Sequence, residues 1–231
     1  MAVEFTAVTF DVSDPQTVAR FWGRLLDRRP RLDGTGILLP GDETQVGLRF
    51  DRPASDEAGQ DYLHLHVTSD GAGSQDTVVE RALELGGSHT DVGQRPDEDH
   101  VVLADPGGAA FCVIPPGNNF LAGCGFLGEV SCDGSREVGV FWRDALGWEL
   151  VWVEDGETAV QAPDGGTKVS WGGPPVEPKT ARMRQRFVLS VADPSAEAER
   201  LAGLGATVLG TGDDEIELAD PDGHEFSIRR R

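Results

Sequence analysis

Apolar and polar residues alternate in Val8-Thr9-Phe10-Asp11-Val12, the period-two pattern of a half-buried strand. Ser13-Asp14-Pro15 follows, a helix N-cap signal with proline at the first turn. Val18, Phe21, Trp22, Leu25 and Leu26 then recur at helical spacing and mark one buried face. Short strands punctuated by glycine come next, over 36–39 and 45–50. The pattern restarts at Leu63-His64-Leu65-His66-Val67, with a helix through Val78, Val79, Ala82, Leu83 and Leu85 and strands near 88–92, 100–104 and 110–114. Each quarter of the chain thus reads strand–helix–strand–strand–strand, with the remaining helices expected near 135–146 and 194–204.

The halves are copies of one another. Phe21-Trp22 recurs as Phe141-Trp142, and Leu83-Glu84-Leu85-Gly86-Gly87 is answered by Leu204-Gly205-Ala206. Asp105-Pro106-Gly107-Gly108 is answered by Asp220-Pro221-Asp222-Gly223, turn chemistry rather than an acidic binding loop. Two domains follow, 1–117 and 121–231, joined by the linker Pro115-Pro116-Gly117-Asn118-Asn119.

Four such βαβββ modules, with the Ser-Asp helix opening, the Phe-Trp pair and the Asp-Pro-x-Gly turn, resemble the vicinal oxygen chelate superfamily of glyoxalase I, bleomycin-resistance proteins and extradiol dioxygenases. The resemblance covers nearly the whole chain. It implies an α+β fold of two tandem cupped-sheet glyoxalase-like domains. It also implies that metal ligands, where present, are His, Glu or Gln on the concave faces of the first and last strands of each unit.

Side-chain alternation then assigns the inward residues. With Leu63, Leu65 and Val67 buried, His64 and His66 point into a cup, joined by Thr9 and Asp11 from the first quarter and by Cys112. His64 stands where the family places histidine, whereas Ala110 stands where its carboxylate falls. In the second half Glu129, Arg186 and Glu225 face inward, with Arg186 at a histidine position and Glu225 matching the carboxylate. Taking each half as its own cup, neither supplies three metal ligands. His64 and His66 are the metal candidates, for Fe, Mn, Ni or Zn, and their alternative reading is a pair of hydrogen-bonded strand histidines. Arg186 and Glu225 are expected to pair with each other. Any binding in the first cup is expected to weaken as pH falls through the histidine range near ~6.5.

Composition narrows the partners. The 231 residues carry a net charge of −20, which disfavours nucleic acid and favours neutral or cationic ligands. No apolar run approaches the ~18 residues of a membrane span. Cys112, Cys124 and Cys132 show no CxxC spacing, which fits free thiols and a cytoplasmic protein. Trp152 and Trp171 are candidate aromatic linings for a planar or cationic ligand.

The leading expectation is a metal-free protein that binds a small organic molecule, similar to the bleomycin-resistance branch, as a monomer or weak homodimer. Enzymatic activity is left open, leaning against it. The alternative is a metal-dependent lyase, isomerase or dioxygenase using the first cup, and a third reading is a structural module with filled cups.

Overall fold

The computed structural model describes residues 3–54, 59–71, 73–95, 97–212 and 214–231. Four βαβββ units follow one another. The first comprises β1 (Glu4–Asp11), α1 (Pro15–Leu25), β2 (Arg31–Asp33), β3 (Gly36–Leu39) and β4 (Gly47–Asp51). The second comprises β5 (Leu63–Thr68), α2 (Gln75–Glu84), β6 (Ser88–His89), β7 (Val101–Ala104) and β8 (Ala110–Ile114). The third comprises β9 (Leu127–Cys132), α3 (Arg136–Leu146), β10 (Glu149–Glu154), β11 (Glu157–Gln161) and β12 (Lys168–Trp171). The fourth comprises β13 (Gln185–Val191), α4 (Pro194–Leu204), β14 (Thr207–Thr211), β15 (Glu215–Ala219) and β16 (Glu225–Arg230). The strand expected over 88–92 is shorter, only Ser88–His89.

The helices begin where the sequence signals them. Asp14 and Asp193 each accept two backbone N–H groups of the first turn, each with proline directly after the cap. Gly147 and Gly205 close α3 and α4 at φ 68° and 117°, a conformation glycine adopts without steric cost. Among the described residues no helix is long and apolar enough to cross a membrane.

Within each unit the first strand runs parallel to the last. Units join through antiparallel pairing of their first strands, and that pairing crosses the halves. β1 pairs with β13 and β5 with β9, giving two eight-stranded sheets. One sheet holds the first and fourth units, the other the second and third. This corrects the expectation of one cup per half. Alternation within a strand is local, but the choice of partner strand is not.

Within each half the two units are joined by a repeated buried contact. Trp22 of the first unit donates its indole N–H to Asp105 of the second at 2.8 Å, and Trp142 of the third donates to Asp220 of the fourth at 3.1 Å. The second oxygen of each aspartate accepts two backbone N–H groups of its own Asp-Pro turn. The Phe-Trp and Asp-Pro motifs are therefore two ends of one bond. Sheets link first to fourth and second to third, while indoles link first to second and third to fourth. Side chains from both sheets and the helices share one apolar core, with Trp22, Phe111, Trp142, Trp171 and Phe187 among its largest members.

Candidate functional site

The cup of the second and third units gathers its polar groups by register. His66 on β5 lies opposite Glu129 on β9 and opposite Cys112 on β8. His64 lies opposite Ser131, which in turn faces Ser170 on β12. His66 Nδ1 donates to Glu129 Oε2 at 2.6 Å, and Ser170 Oγ donates to the other carboxylate oxygen. His66 Nε2 lies 2.8 Å from His64 Nε2. Glu129 is 5% exposed, so this pair sits on the floor rather than the rim.

The two histidines are driven apart electrostatically. Burial and the neighbouring His66 charge push His64 down to about 4. Burial also opposes charge on His66, but hydrogen bonds with Cys112 and Glu129 and the Glu129 charge outweigh it and raise His66 to about 10. Burial works against the Glu129 carboxylate, yet the hydrogen bond and charge of His66 hold it below the ordinary value. The two imidazoles are thus pushed to opposite sides of the ordinary histidine range near 6.5.

A cavity of about 360 Å³ opens above this pair, within the range of small-molecule sites. His66, Glu129, Ser131 and Ser170 border it below, and Phe120, Trp152, Ile114 and Leu121 form its walls, with Asp99, His100 and Glu157 also on its lining. Phe120 meets Trp152 edge to face, with centroids 5.6 Å apart, and Lys168 Nζ lies 4.3 Å from the Phe120 ring centre. Phe120 and Leu121 come from the connection between the halves, which packs onto the cup. There Leu121 and Cys124 join Val102, Cys112 and Ile114 in a small apolar cluster separate from the main core. Alternation within β12 could have found Ser170, which shares a face with Lys168. Nothing in the sequence marked Phe120, because it lies in no strand or helix.

Trp171 borders the cavity, but its ring belongs to the core, stacked on Trp142 at 8° with centroids 6.5 Å apart. Its indole nitrogen and the Thr158 hydroxyl are buried with no hydrogen-bond partner. Cys132 is buried in the same core.

The cup of the first and fourth units is different. Arg186 forms a two-toothed pair with Asp11, at 2.6 and 2.8 Å, instead of the expected pair with Glu225. The antiparallel β1–β13 contact delivers Asp11 to Arg186, whereas Glu225 is claimed by Lys179 at 2.6 Å and by the Met183 backbone N–H. Arg49 is held by Asp33 and Asp51, and Arg182 by Glu217. Thr9 lies opposite both Arg49 and Arg186, with a buried, unpartnered hydroxyl. Asp11 and Thr9 are thus in the opposite cup from His64, His66 and Cys112, and Glu225 is in the opposite cup from Glu129. The inward charges of this cup satisfy one another.

Among the described residues, donor atoms suited to a metal ion converge in the cup of the second and third units. His64, His66 and Cys112 present ligand atoms within 4.8 Å of one another, soft and borderline donors with a carboxylate already anchored to His66.

The model of the glyoxalase-like domain family matches twice, at residues 7–114 and 129–229, and the chain belongs to that family. It is similar to the solved structure of glyoxalase I from Zea mays, at 15% identity and a TM-score of 0.67, covering 99% of this chain and 92% of that one. It is also similar to a putative dioxygenase from Bacillus subtilis, at 14% identity and a TM-score of 0.62, covering 98% and 84%. At these identities the likeness concerns the fold. No curated protein matches the chain by sequence.

Proposed function

We propose that this protein binds a small planar organic molecule, neutral or cationic, in the cup of its second and third units. The observation that carries the reading is the difference between the cups. One opens a cavity of about 360 Å³ over a buried imidazole–carboxylate pair, while the other closes its charges on each other. Phe120 and Trp152 supply faces and edges for an aromatic ring. Glu129, Ser131 and Ser170 supply acceptors and hydroxyls for one polar group of the ligand. Asp99, Glu157 and the net charge of −20 favour a cation over an anion.

Fluorescence titration tests this with 2-naphthol as the neutral probe and N-methylquinolinium as the cationic one. Saturable quenching that weakens at least about tenfold in Trp152→Ala, and is unchanged in Asp11→Asn, supports the reading. Binding that is indifferent to Trp152 but lost with Asp11 overturns it.

A second reading is catalysis by a lyase, isomerase or dioxygenase of this family. It is favoured by the His66–Glu129 pair, because a buried carboxylate on Nδ1 fixes which imidazole nitrogen faces the ligand. Turnover of a bound aromatic that is abolished by His66→Gln while binding persists would support it.

A further inference from the structure

We propose that Cys112 is a nucleophile that captures an electron-poor alkene conjugated to a carbonyl group as a covalent thioether, with His66 carrying the proton of the sulfur and Glu129 orienting His66. The proposal rests on the reading of this cup as the working one and names the chemical class that the cup retains.

Strand register alone sets the three groups in a row. On the neighbouring strands β8, β5 and β9, Cys112 lies opposite His66 and His66 opposite Glu129. Glu129 takes Nδ1 of His66 at 2.6 Å and is itself held by Ser170, which leaves Nε2 for the sulfur. Cys112 hydrogen-bonds to His66, and its sulfur lies within 4.8 Å of ring nitrogens of both His66 and His64. A nucleophile in reach of an imidazole, with a third group fixing the ring, is the arrangement that activates side-chain nucleophiles on unrelated folds. The other two thiols are placed differently. Cys124 Sγ accepts from Gln161 Nε2 at 3.6 Å, Cys132 Sγ donates to the Val130 carbonyl at 3.9 Å, and burial pushes both thiols up.

The cavity selects the electrophile. Its aromatic walls suit a flat, conjugated and uncharged molecule, which is also the form in which an alkene beside a carbonyl is reactive towards sulfur. Cys112 is 4% exposed and packs with Ile114 and Leu121, which border the cavity, so the sulfur lies behind that wall beside His66. Leu121 belongs to the connection between the halves and to no strand or helix, so a ligand reaches the sulfur by displacing one side chain of a loop. In the step, the Cys112 S–H bond breaks and an S–C bond forms at the alkene carbon farther from the carbonyl. The alkene π pair moves towards the carbonyl oxygen to give an enolate, and the proton carried on His66 Nε2 is delivered to the carbon next to the carbonyl. The alkene is saturated, no group leaves, and no outside oxidant or reductant takes part.

The experiment treats the full chain, in buffer containing EDTA, with N-phenylmaleimide, an aromatic acceptor of thiols, and follows each cysteine by peptide mass spectrometry. The expected result is one equivalent added at Cys112, at least ~10-fold faster than at Cys124 or Cys132, and slowed by 2-naphthol. His66→Gln slows the labelling of Cys112 by ~100-fold and Glu129→Gln slows it less, whereas Leu121→Ala speeds it. The Cys124→Ser/Cys132→Ser double variant keeps the adduct and Cys112→Ser loses it. Circular dichroism verifies that each variant is folded, and Glu129→Gln keeps the test of the triad decisive if His66→Gln is not. The proposal is overturned if folded wild-type protein labels Cys112 no faster than the other two cysteines, or if the folded His66 and Glu129 variants label it as fast as wild type. Naphthol quenching is measured alongside. Quenching that persists while Cys112 stays unlabelled overturns the nucleophile alone, and labelling of Cys112 with neither quenching nor protection by naphthol overturns the reading of the cup as a site for planar organic ligands.

Discussion

Replacing Glu129 with glutamine removes one charge from a pair buried at the floor of the open cup and leaves the side-chain volume unchanged. In metal-free protein at pH 7 His66 is charged, because its partner contacts raise it from 6.5 to about 10. A rise of that size corresponds to roughly 5 kcal/mol of interaction at ~1.36 kcal/mol per pH unit, an upper limit because His66 can shed its proton once alone. Breaking a buried pair by removing one partner costs ~3–5 kcal/mol, so we expect a loss of ~3 kcal/mol at pH 7. The sign of the pH dependence follows from the direction of the shift. A base whose folded-state value is raised gives stability that is complete below its unfolded value of 6.5 and is lost as pH climbs through about 10. The gap between wild type and Glu129→Gln should therefore be widest near pH 6 and shrink to ~1 kcal/mol by pH 10. Urea unfolding measures it, followed by tryptophan fluorescence and by circular dichroism, with coincident transitions as the check on two-state behaviour. An equal gap at pH 6 and pH 10 would refute the ionic reading of the pair and leave Glu129 as a neutral hydrogen-bond partner.

Three further outcomes are expected. His64→Gln should reduce acid sensitivity: a histidine held down to about 4 gives stability above pH 6.5 that is lost as pH falls towards 4, so the urea midpoint at pH 5 relative to pH 7 should drop less in the variant. A double-mutant cycle of Arg186→Met with Asp11→Asn should show at least ~1.5 kcal/mol of coupling, whereas the cycle of Arg186→Met with Glu225→Gln should be additive within ~0.5 kcal/mol. Asp105→Ala strips the Trp22 indole and two turn N–H groups of their acceptor and should cost ~2–4 kcal/mol, a fall of about 5–15 °C in melting temperature, much of it recovered when Trp22→Phe is added.

Most of the fold was legible because it is written locally. Proline and aspartate at the caps, Val18-Phe21-Trp22-Leu25 at helical spacing and Leu63-Leu65-Val67 at strand spacing each depend only on near neighbours. The duplicated Phe-Trp and Asp-Pro motifs identified the repeat, although not that each tryptophan is bonded to the aspartate 83 or 78 residues away. The inward faces of His64, His66, Asp11, Glu129 and Arg186 were also legible, since they follow from alternation. Which inward residues share a cup was not, because strand partnership between units lies beyond any local pattern. The inward charges do carry that information. Treating each half as a cup left Asp11 with the histidines and Arg186 with two glutamates, whereas exchanging partners across the halves gives Asp11–Arg186 and His66–Glu129, two complementary pairs. The cost of burying an unpaired charge selects the second arrangement.

The division of labour between the cups is tested most directly by a crystal structure of the protein soaked with 2-naphthol. Density for the bicyclic ring against Phe120 and Trp152, with its hydroxyl on the Glu129–His66 pair, is the predicted result. A ring lodged among Asp11, Arg49 and Arg186, or in the separate cavity of about 660 Å³ bordered by Phe5, Gln45 and Trp148, would contradict it and move the working site elsewhere in the fold.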